Sequence, residues 1–273
     1  MTAHYTKGDL DVALNRLPVE KGDIVFLHSN IGFFGRAEGV TDGQTLCELF
    51  FDALMRRVGD YGTIVVPTFT YSFPCRQVFS PNETASEMGL FAEWIRKHPN
   101  SIRSCDPSYS IAAIGYKTKL LTQDSPENSF SPDGFFGRFL AEKGVVLNMN
   151  FDCGSTFIHY LERSLKVPYR FDKTFEGYIQ ENGIKRVAKN TISVRYMSDK
   201  TTAPVFEAFH KLAIDAGYFH SEKLGRGQIG IIRSTDCERL LVATLPKRPW
   251  FLTEAEGVGK VPNLAPESTY QAL

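Results

Sequence analysis

His159 and Glu162, three residues apart, form the most informative chemical pattern in the sequence. The residues around them predict a strand, a loop and then a helix, with Ser155 or Thr156 as the natural N-cap. Because positions i and i+3 share one helix face, the carboxylate can hold one ring nitrogen of His159 while the other accepts a proton. A base with an orienting partner is the general arrangement for activating a nucleophile, although many such pairs are only structural.

The predicted helix start and Glu162 act on the His159 ring in opposite directions. The N-terminal end of a helix disfavours an imidazolium, whereas a neighbouring carboxylate favours it. We therefore expect His159 to be neutral but basic near pH 7, as a base that deprotonates an amine must be. The backbone amides near Gly154–Thr156 are candidate donors to a developing oxyanion.

Cys153, six residues before His159, offers a different chemistry. As a nucleophile it would carry an acyl group, and the protein would be an acyl-enzyme transferase or a thioesterase-like hydrolase. A third alternative is a ligand-binding protein that has the pocket without catalysis.

Further polar segments adjoin predicted strands. The turn His28–Gly32 follows the first strand, where free amides and hydroxyls suit phosphate or pantetheine oxygens. Thr68, Thr70 and Tyr71 follow the second strand and suit a carbohydrate or amide ligand. Asp106 precedes a proline and is held extended, so it either takes the cationic amine of a substrate or caps a turn.

Apolar runs and helical periodicity predict the elements that position these residues. The predicted strands are Asp23–His28, Gly62–Val66, Ile111–Gly115 and Val145–Met149, and the predicted helices are Asp42–Val58, Glu87–Lys97, Phe135–Glu142 and Ser155–Leu165. The first strand, helix and second strand form a βαβ unit, for which the right-handed crossover favours a parallel pair.

The second half of the chain has a different pattern. Thr191–Met197 and Ile229–Ile232 alternate like exposed antiparallel strands, Leu240–Leu245 is a candidate to pair with them, and Pro204–Gly217 is a predicted helix.

These elements predict an α/β fold with a central, largely parallel sheet flanked by helices and an α+β C-terminal portion packed on it. We expect a single domain over residues 1–273, with a core at about 10–170, the α+β remainder at about 171–250 and a tail at 251–273.

Composition excludes several classes of protein. Lys plus Arg and Asp plus Glu both number 31, which argues against a nucleic-acid or membrane-surface protein. No apolar run reaches membrane-spanning length, and the polar N-terminus is unlike a signal peptide. Five scattered cysteines indicate a reduced, cytoplasmic chain without structural zinc. The oligomeric state stays open, with a homodimer as one option.

Six segments, taken in order, resemble those of the aminoglycoside 3-N-acetyltransferase family, which is distinct from the GNAT acetyltransferases. They are LHSNIGFFG, GTIVVPTFTYSF, RSCDPSYSIAAIG, NSFSPDGFFGRFLAEKGVVLNMN, STFIHYLE and LGRGQIGIIRSTDCERLL. The resemblance extends roughly from Leu10 to Leu245. It implies acetyl-CoA as the donor, no metal, and direct attack of a substrate amine on the thioester.

The resemblance also assigns roles to residues. The catalytic base is the histidine of the T-x-x-H-x-x-E segment, here Thr156, His159 and Glu162. The residues it implies near the CoA arm are Ser29, Asn30, Gly32, Arg103, Ser110 and Thr156.

One departure from the family pattern bears on the acceptor. Many members have His or Asn before the proline of the RS segment, whereas this chain has Asp106. An Asp-Pro pair resembles proteins found with surface-polysaccharide sugar biosynthesis, and the neutral chain lacks the acidic excess expected for polycationic aminoglycosides. We therefore expect a nucleotide-linked amino-deoxysugar, such as a dTDP-3-amino-3,6-dideoxyhexose, with Asp106 placing its amine. The alternative is an aminoglycoside 3-N-acetyltransferase conferring antibiotic resistance.

Overall fold

The computed structural model describes residues 2–259, 261, 262 and 264, and the strands of this part of the chain form two sheets. The larger sheet contains β1 (Ile24–Ser29), β2 (Thr63–Pro67), β4 (Ile102–Arg103), β5 (Ile111–Gly115), β6 (Val145–Met149), β9 (His220–Leu224) and β10 (Gly227–Arg233). The smaller sheet contains β3 (Val78–Phe79), β7 (Arg170–Glu181) and β8 (Ile184–Arg195). The α-helices in the same residues are α1 (Lys7–Arg16), α2 (Gly43–Val58), α3 (Leu90–Lys97), α4 (Thr118–Thr122), α5 (Phe135–Ala141), α6 (Phe157–Ser164), α7 (Glu207–Asp215), α8 (Ser234–Thr244) and α9 (Glu254–Val258).

The larger sheet has the strand order β4-β5-β2-β1-β6-β10-β9. Its central strand β1 is parallel to both β2 and β6, as the βαβ pattern predicts. Only β5 and β10 run antiparallel to their neighbours on both sides, so five of these seven strands point in one direction. The α/β fold class with a largely parallel central sheet is confirmed.

Helices cover both faces of this sheet because the strand side chains alternate between two cores. Val25 and Leu27 point into the core formed with α1, α2 and α3, whereas Ile24 and Phe26 point into the core formed with α5, α6, α7 and α8. Buried residues on both faces produce the continuous apolar runs seen in the sequence. The predicted strands and helices of the first two thirds are therefore all present, within a few residues at their ends.

Two predictions for the second half are wrong. Leu240–Leu245 is not a strand, since its residues up to Thr244 belong to α8 and Leu245 is the C-cap of that helix. Cys237, Leu241 and Leu245 are buried at a spacing of four residues, as one face of a helix requires. Ile229–Ile232 is a strand, but it is fully buried between β6 and β9 rather than exposed.

The remainder predicted at 171–250 contributes to both sheets. Thr191–Met197 lies largely within β8 of the smaller sheet, and the predicted helix Pro204–Gly217 is present as α7. Of the predicted tail 251–273, residues 260, 263 and 265–273 lie outside the described residues. In the part of the chain that is described, no helix is both long and apolar enough to span a membrane.

Candidate active site

The site lies where two neighbouring parallel strands end. β1 and β6 pair in parallel up to Ser29 and Met149, so their carboxyl ends meet at one edge of the sheet, where ligands bind in α/β folds. From this edge the chain passes through a short loop into α6 and then returns as β7. The strand end, the loop, the helix and the start of β7 together bring the candidate residues into contact.

Side-chain amides fix the loop between β6 and α6. Asn150 has a left-handed backbone (φ 66°), and its Nδ2 donates to the carbonyl of Asn30 at 2.9 Å. Asn148 Nδ2 donates to the carbonyl of Gly154 at 3.0 Å. The Gly154 amide donates to Asp152 Oδ1 at 2.7 Å, so this amide is already occupied. Of the amides predicted for an oxyanion, the one at Gly154 is therefore not available.

The start of α6 sets the position of the candidate base. Thr156 is the N-cap residue, but its side chain makes no capping hydrogen bond. The hydroxyl of Ser155 accepts from the amide of Phe157 at 3.2 Å, so Ser155 serves the helix start instead. The Thr156 hydroxyl is thus not committed to the helix.

His159 and Glu162 make the contact that their spacing predicts. His159 Nδ1 lies 2.6 Å from Glu162 Oε2, and the Glu162 side chain is fully buried while 19% of the His159 side chain is exposed. A carboxylate can only accept, so we assign the proton to Nδ1 and leave Nε2 as the basic nitrogen.

Two residues that sequence reasoning missed complete the cluster. Arg170 Nε lies 2.6 Å from Glu162 Oε2 as a buried ion pair, and Arg170 Nη2 lies 2.7 Å from Nδ1 and 3.3 Å from Nε2 of His159. Because a guanidinium only donates, Nη2 makes no hydrogen bond to a protonated Nδ1 and acts on the ring as a nearby cation. Arg170 Nη1 donates to the carbonyl of Ser193 at 2.9 Å, which anchors the guanidinium to β8. The hydroxyl of Tyr169 donates to Glu162 Oε1 at 2.6 Å. Glu162 thus has partners on both oxygens.

Burial and charge together keep the imidazole neutral. Burial lowers the pKa of His159, the cation of Arg170 lowers it further, and Glu162 opposes both. Burial alone would raise the pKa of Glu162, but the charges of His159 and Arg170 and its hydrogen bonds bring it below its usual value. These shifts favour the ionised form of Glu162 and the uncharged form of the His159 imidazole.

A second histidine lies between β1 and the start of α6. His28 Nε2 is 2.9 Å from the Ser155 hydroxyl. Burial, followed by the charge of His159, lowers the pKa of His28 to about 4. His28 is therefore uncharged near pH 7 and links the end of β1 to the helix that carries His159.

Asp106 occupies its own turn rather than an open cleft. Its Oδ1 accepts from the amides of Ser108 at 2.9 Å and Tyr109 at 2.8 Å, and only 7% of the residue is exposed. Burial raises the pKa of Asp106, against the effect of its hydrogen bonds with the Ser129 side chain, the amides of Tyr109 and Ser108, and the Asn190 side chain. Of the two roles open for Asp106, the structure shows the turn cap.

Arg103, Ser110 and Thr68 form an internal network and do not line an open surface. Arg103 Nε lies 3.1 Å from both hydroxyls, and its Nη2 donates to the carbonyl of Thr68 at 2.6 Å. Arg103 Nη1 donates to the carbonyls of Pro81 and Thr84 at 3.2 and 2.5 Å. Ser110 and Thr68 are fully buried. The network joins neighbouring loops to one another. The hydrogen-bonding groups of these three residues are occupied within the protein and are not presented to CoA or to an acceptor.

The other predicted binding residues differ in exposure. Thr70 is buried and donates to the carbonyl of Pro107 at 2.8 Å, whereas Tyr71 is 58% exposed. Ser29 and Asn30 are half-buried and Gly32 is exposed, beyond the end of β1. Of these five residues, Tyr71 and the turn after β1 are the ones that a ligand can reach.

Comparison with known proteins identifies the family. The family model for aminoglycoside 3-N-acetyltransferases matches residues 26–245, which is most of the chain and includes the whole cluster around His159. The chain belongs to the aminoglycoside 3-N-acetyltransferase family.

Individual members agree with this assignment. The chain is 24% identical over 247 residues to aminoglycoside N(3)-acetyltransferase IX of Micromonospora chalcea, covering 81% of this chain and 86% of the relative. It is 27% identical over 188 residues to aminoglycoside N(3)-acetyltransferase VII of Streptomyces paromomycinus, covering 61% and 62%.

Solved structures confirm the fold. AAC-IIIb in a binary complex with CoASH superimposes with a TM-score of 0.75 at 19% identity, covering 89% of this chain and 97% of the other. AAC-VIa bound to sisomicin superimposes with a TM-score of 0.75 at 21% identity, covering 90% and 99%. A histidine-to-alanine variant of AAC(3)-IVa in complex with a gentamicin gives a TM-score of 0.76 at 21% identity, covering 94% and 95%.

Within this acetyltransferase, Cys153 is poorly placed to act as a nucleophile. Its side chain is fully buried, and burial, followed by the charge of Asp152, raises the pKa of the thiol well above its usual value. A thiol held in its protonated form reacts poorly with a thioester.

Residues 2–259, 261, 262 and 264 contain no group of three or more His, Cys, Asp or Glu side chains placed to bind a metal ion.

Proposed function

We propose that the protein transfers the acetyl group of acetyl-CoA to an amine of an amino sugar, with His159 as the general base. The observation that carries the proposal is the hydrogen bond from His159 Nδ1 to the buried Glu162. In the tautomer with the proton on Nδ1, this bond leaves Nε2 as the basic nitrogen, and burial followed by the charge of Arg170 lowers the pKa of the ring. CoASH in the structure of AAC-IIIb supports acetyl-CoA as the donor.

The proposed reaction needs one proton to leave the amine. The amine nitrogen attacks the thioester carbonyl carbon, the C–S bond breaks, and the amine proton passes to His159 Nε2 while the CoA thiolate departs. The proton then returns from the imidazolium to the thiolate, which balances the reaction. General-base assistance of this kind contributes about 10²–10⁴-fold in rate.

Glu162 has a more limited electrostatic role in this scheme than a lone carboxylate would have. Its charge is already balanced by Arg170 at 2.6 Å, and Tyr169 donates to its second oxygen. Glu162 therefore orients the ring and supports the transient imidazolium, while Arg170 and Tyr169 hold Glu162 in place.

The acceptor that the relatives favour is an aminoglycoside. The relatives in Micromonospora and Streptomyces are both named aminoglycoside N(3)-acetyltransferases, and related structures contain sisomicin or a gentamicin. We propose an aminoglycoside-type amino sugar as the acceptor class.

We also propose that the reaction takes place in the cytoplasm, where acetyl-CoA and the reducing conditions suited to its five free cysteines are found.

A nucleotide-linked amino-deoxysugar is the second candidate acceptor, and the placement of Asp106 favours it. A polycationic acceptor needs carboxylates that are free to bind its ammonium groups. Asp106 is buried and bound to its own turn, and Glu162 is balanced by Arg170, so neither is free for this purpose.

Release of CoA thiol tests the proposed function directly. Acetyl-CoA is incubated with a panel of aminoglycosides and with nucleotide-linked amino sugars, and the free thiol is measured with the acetylated product. The His159→Ala variant should retain acetyl-CoA binding and lose at least a hundredfold in kcat, with Lys119→Gln as an exposed control remote from the site. Turnover retained in His159→Ala would remove the assignment of the base, and thiol release without an acetylated amine would remove the reaction.

A further inference from the structure

An aromatic ring from a distant part of the chain lies beside the candidate base. Phe206 is the N-cap residue of α7, and its ring centroid lies 6.3 Å from that of His159, with the two planes tilted by 41°. Both residues are half-buried. The two rings therefore lie side by side where the site opens to solvent.

The ring of Phe206 is held against the loop between β6 and α6. A Cβ added to Gly154 would lie only 2.5 Å from Phe206 Cδ2, so glycine is the residue that lets the ring pack there. The amide of Cys153 donates to His210 Nδ1 at 3.2 Å, about one turn further along α7. These two contacts fix the start of α7 on the loop, and with it the position of the ring.

An exposed carboxylate adjoins the same glycine. The Cβ position at Gly154 is 2.7 Å from Asp152 Oδ1, so this oxygen and the Phe206 ring both border the space that a side chain would fill. Asp152 Oδ1 accepts from the Gly154 amide at 2.7 Å. Within the described part of the chain, that amide is the only hydrogen-bond donor to the Asp152 side chain, and no cation pairs with it. Unlike Asp106, Asp152 therefore has an oxygen available to a ligand.

The ring and the carboxylate together suit an amino sugar. The apolar C–H face of a hexose packs on an aromatic ring, and a carboxylate forms a charge-assisted hydrogen bond with an ammonium group. A phosphate would be repelled by Asp152. An amine bound to this carboxylate stays protonated and is not the nucleophile, whereas an amine at His159 must lose its proton to react. The arrangement therefore selects an acceptor with at least two amines.

We propose that Phe206 and Asp152 form the acceptor subsite, with a hexose ring on Phe206 and a second ammonium group on Asp152. The inference rests on the proposed function, because it places the reacting amine of the same molecule at His159 Nε2. An acceptor with a single amine, such as a nucleotide-linked monoamino sugar, would leave Asp152 without a partner.

Calorimetric titration of the full chain with sisomicin, in the presence of CoA, tests the role of the carboxylate. Asp152→Asn keeps an Oδ1 acceptor for the Gly154 amide and removes only the charge. It should raise the Kd of sisomicin about tenfold, and the increase should diminish as salt is added. The matched control is Asp60→Asn, which removes an exposed carboxylate from the turn before β2, at the opposite edge of the sheet, and should leave the Kd unchanged.

Two variants of Phe206 test the role of the ring. Phe206→Leu should raise the Kd of sisomicin severalfold at low and high salt alike, because the lost contact is apolar. Phe206→Tyr keeps the ring and should bind within about twofold of the wild-type protein. The thermal midpoint of each variant is measured alongside, and CoA alone should bind every variant with the wild-type Kd.

Three outcomes would overturn the subsite. They are a wild-type protein that does not bind sisomicin, a Kd that Asp152→Asn leaves unchanged or changes no more than Asp60→Asn does, and a rise in the Kd of CoA in the Asp152 and Phe206 variants, which would assign both residues to the donor.

The outcome is separable from that of the proposed function. The predicted pattern of sisomicin binding without release of CoA thiol from acetyl-CoA leaves the subsite standing and removes the function. Turnover of an amino sugar that neither Asp152→Asn nor Phe206→Leu affects removes only the subsite.

Discussion

Arg170 Nη2 and Glu162 Oε2 lie 2.7 Å and 2.6 Å from the same atom, Nδ1 of His159. The ring nitrogen therefore contacts a buried cation and a buried anion, which also form an ion pair with each other and whose effects on the pKa of His159 have opposite signs. Because burial adds to the effect of the cation, the net result is a lowered pKa and an uncharged imidazole at neutral pH. The basicity of His159 is thus set by three residues rather than by the His–Glu pair alone.

Replacing Arg170 should shift the pH dependence of the reaction. The base works only when His159 is neutral, so kcat/KM falls as the pH drops through the pKa of His159. Arg170 lowers this pKa, so Arg170→Gln should raise it and move the acidic limb of the profile to higher pH. Profiles of kcat/KM between about pH 5 and 9 check this, with Arg170→Lys as the charge-conserving control. A limb at the same pH in Arg170→Gln would show that Arg170 does not act on the base.

Replacing Glu162 should shift the same limb in the opposite direction. Glu162 raises the pKa of His159, so Glu162→Gln should lower it, and the acidic limb should move to lower pH. A less basic, less firmly oriented ring should also reduce kcat, by roughly ten- to a hundredfold and by less than His159→Ala. The measurement is kcat across the pH range together with the thermal midpoint, which separates this effect from loss of fold. A limb that moves upward would contradict the arrangement.

The sequence predicts the elements that carry strong local signals. The strands β1, β2, β5 and β6 are continuous apolar runs because both of their faces are buried, and α6 has a helix start followed by His159 and Glu162 at helical spacing. The contact between these two side chains depends on helix geometry alone, so it could be predicted without knowing the rest of the fold.

Other features depend on packing between distant segments and had no sequence signal. Arg170 reaches Glu162 only because β7 returns beside α6. The sequence alone does not show this contact, so the predicted site did not include Arg170. Asp106 before a proline is compatible with both a turn cap and a substrate contact, and only the positions of the Ser108 and Tyr109 amides decide between them. Leu240–Leu245 is a short apolar run, for which periodicity over so few residues cannot separate strand from helix.

Asp106 should contribute to stability through its turn. Asp106→Ala leaves the buried amides of Ser108 and Tyr109 without an acceptor, which costs about 1–3 kcal/mol in the free energy of unfolding. Asp106→Asn keeps an Oδ1 acceptor and should retain most of that stability, with a KM for the acceptor close to the wild-type value. Denaturant unfolding and steady-state kinetics check both variants. A large rise in the acceptor KM of Asp106→Asn, with stability retained, would instead assign the carboxylate to the acceptor amine.

His28 should make the fold less stable in acid. Its pKa is lowered from 6.5 to about 4 in the native protein, by burial first and then by the charge of His159. Above pH 6.5 the ring is neutral in both native and unfolded chains, so its contribution is fully present. Between pH 6.5 and 4 the unfolded chain binds a proton that the native chain does not, so the free energy of unfolding falls by up to about 1.4 kcal/mol per pH unit.

The His28→Gln variant isolates this contribution. Glutamine keeps a polar partner for the Ser155 hydroxyl but does not titrate, so the decrease in stability between pH 6.5 and 4 should be smaller than in the wild-type protein. His159, whose pKa is also lowered, should still produce part of the decrease in His28→Gln. Urea unfolding at half-unit pH intervals measures the difference. If the free energy of unfolding fell equally steeply with pH in the two proteins, His28 would be protonated to the same extent in the native and unfolded chains. The assignment of an uncharged His28 to the native site would then be wrong.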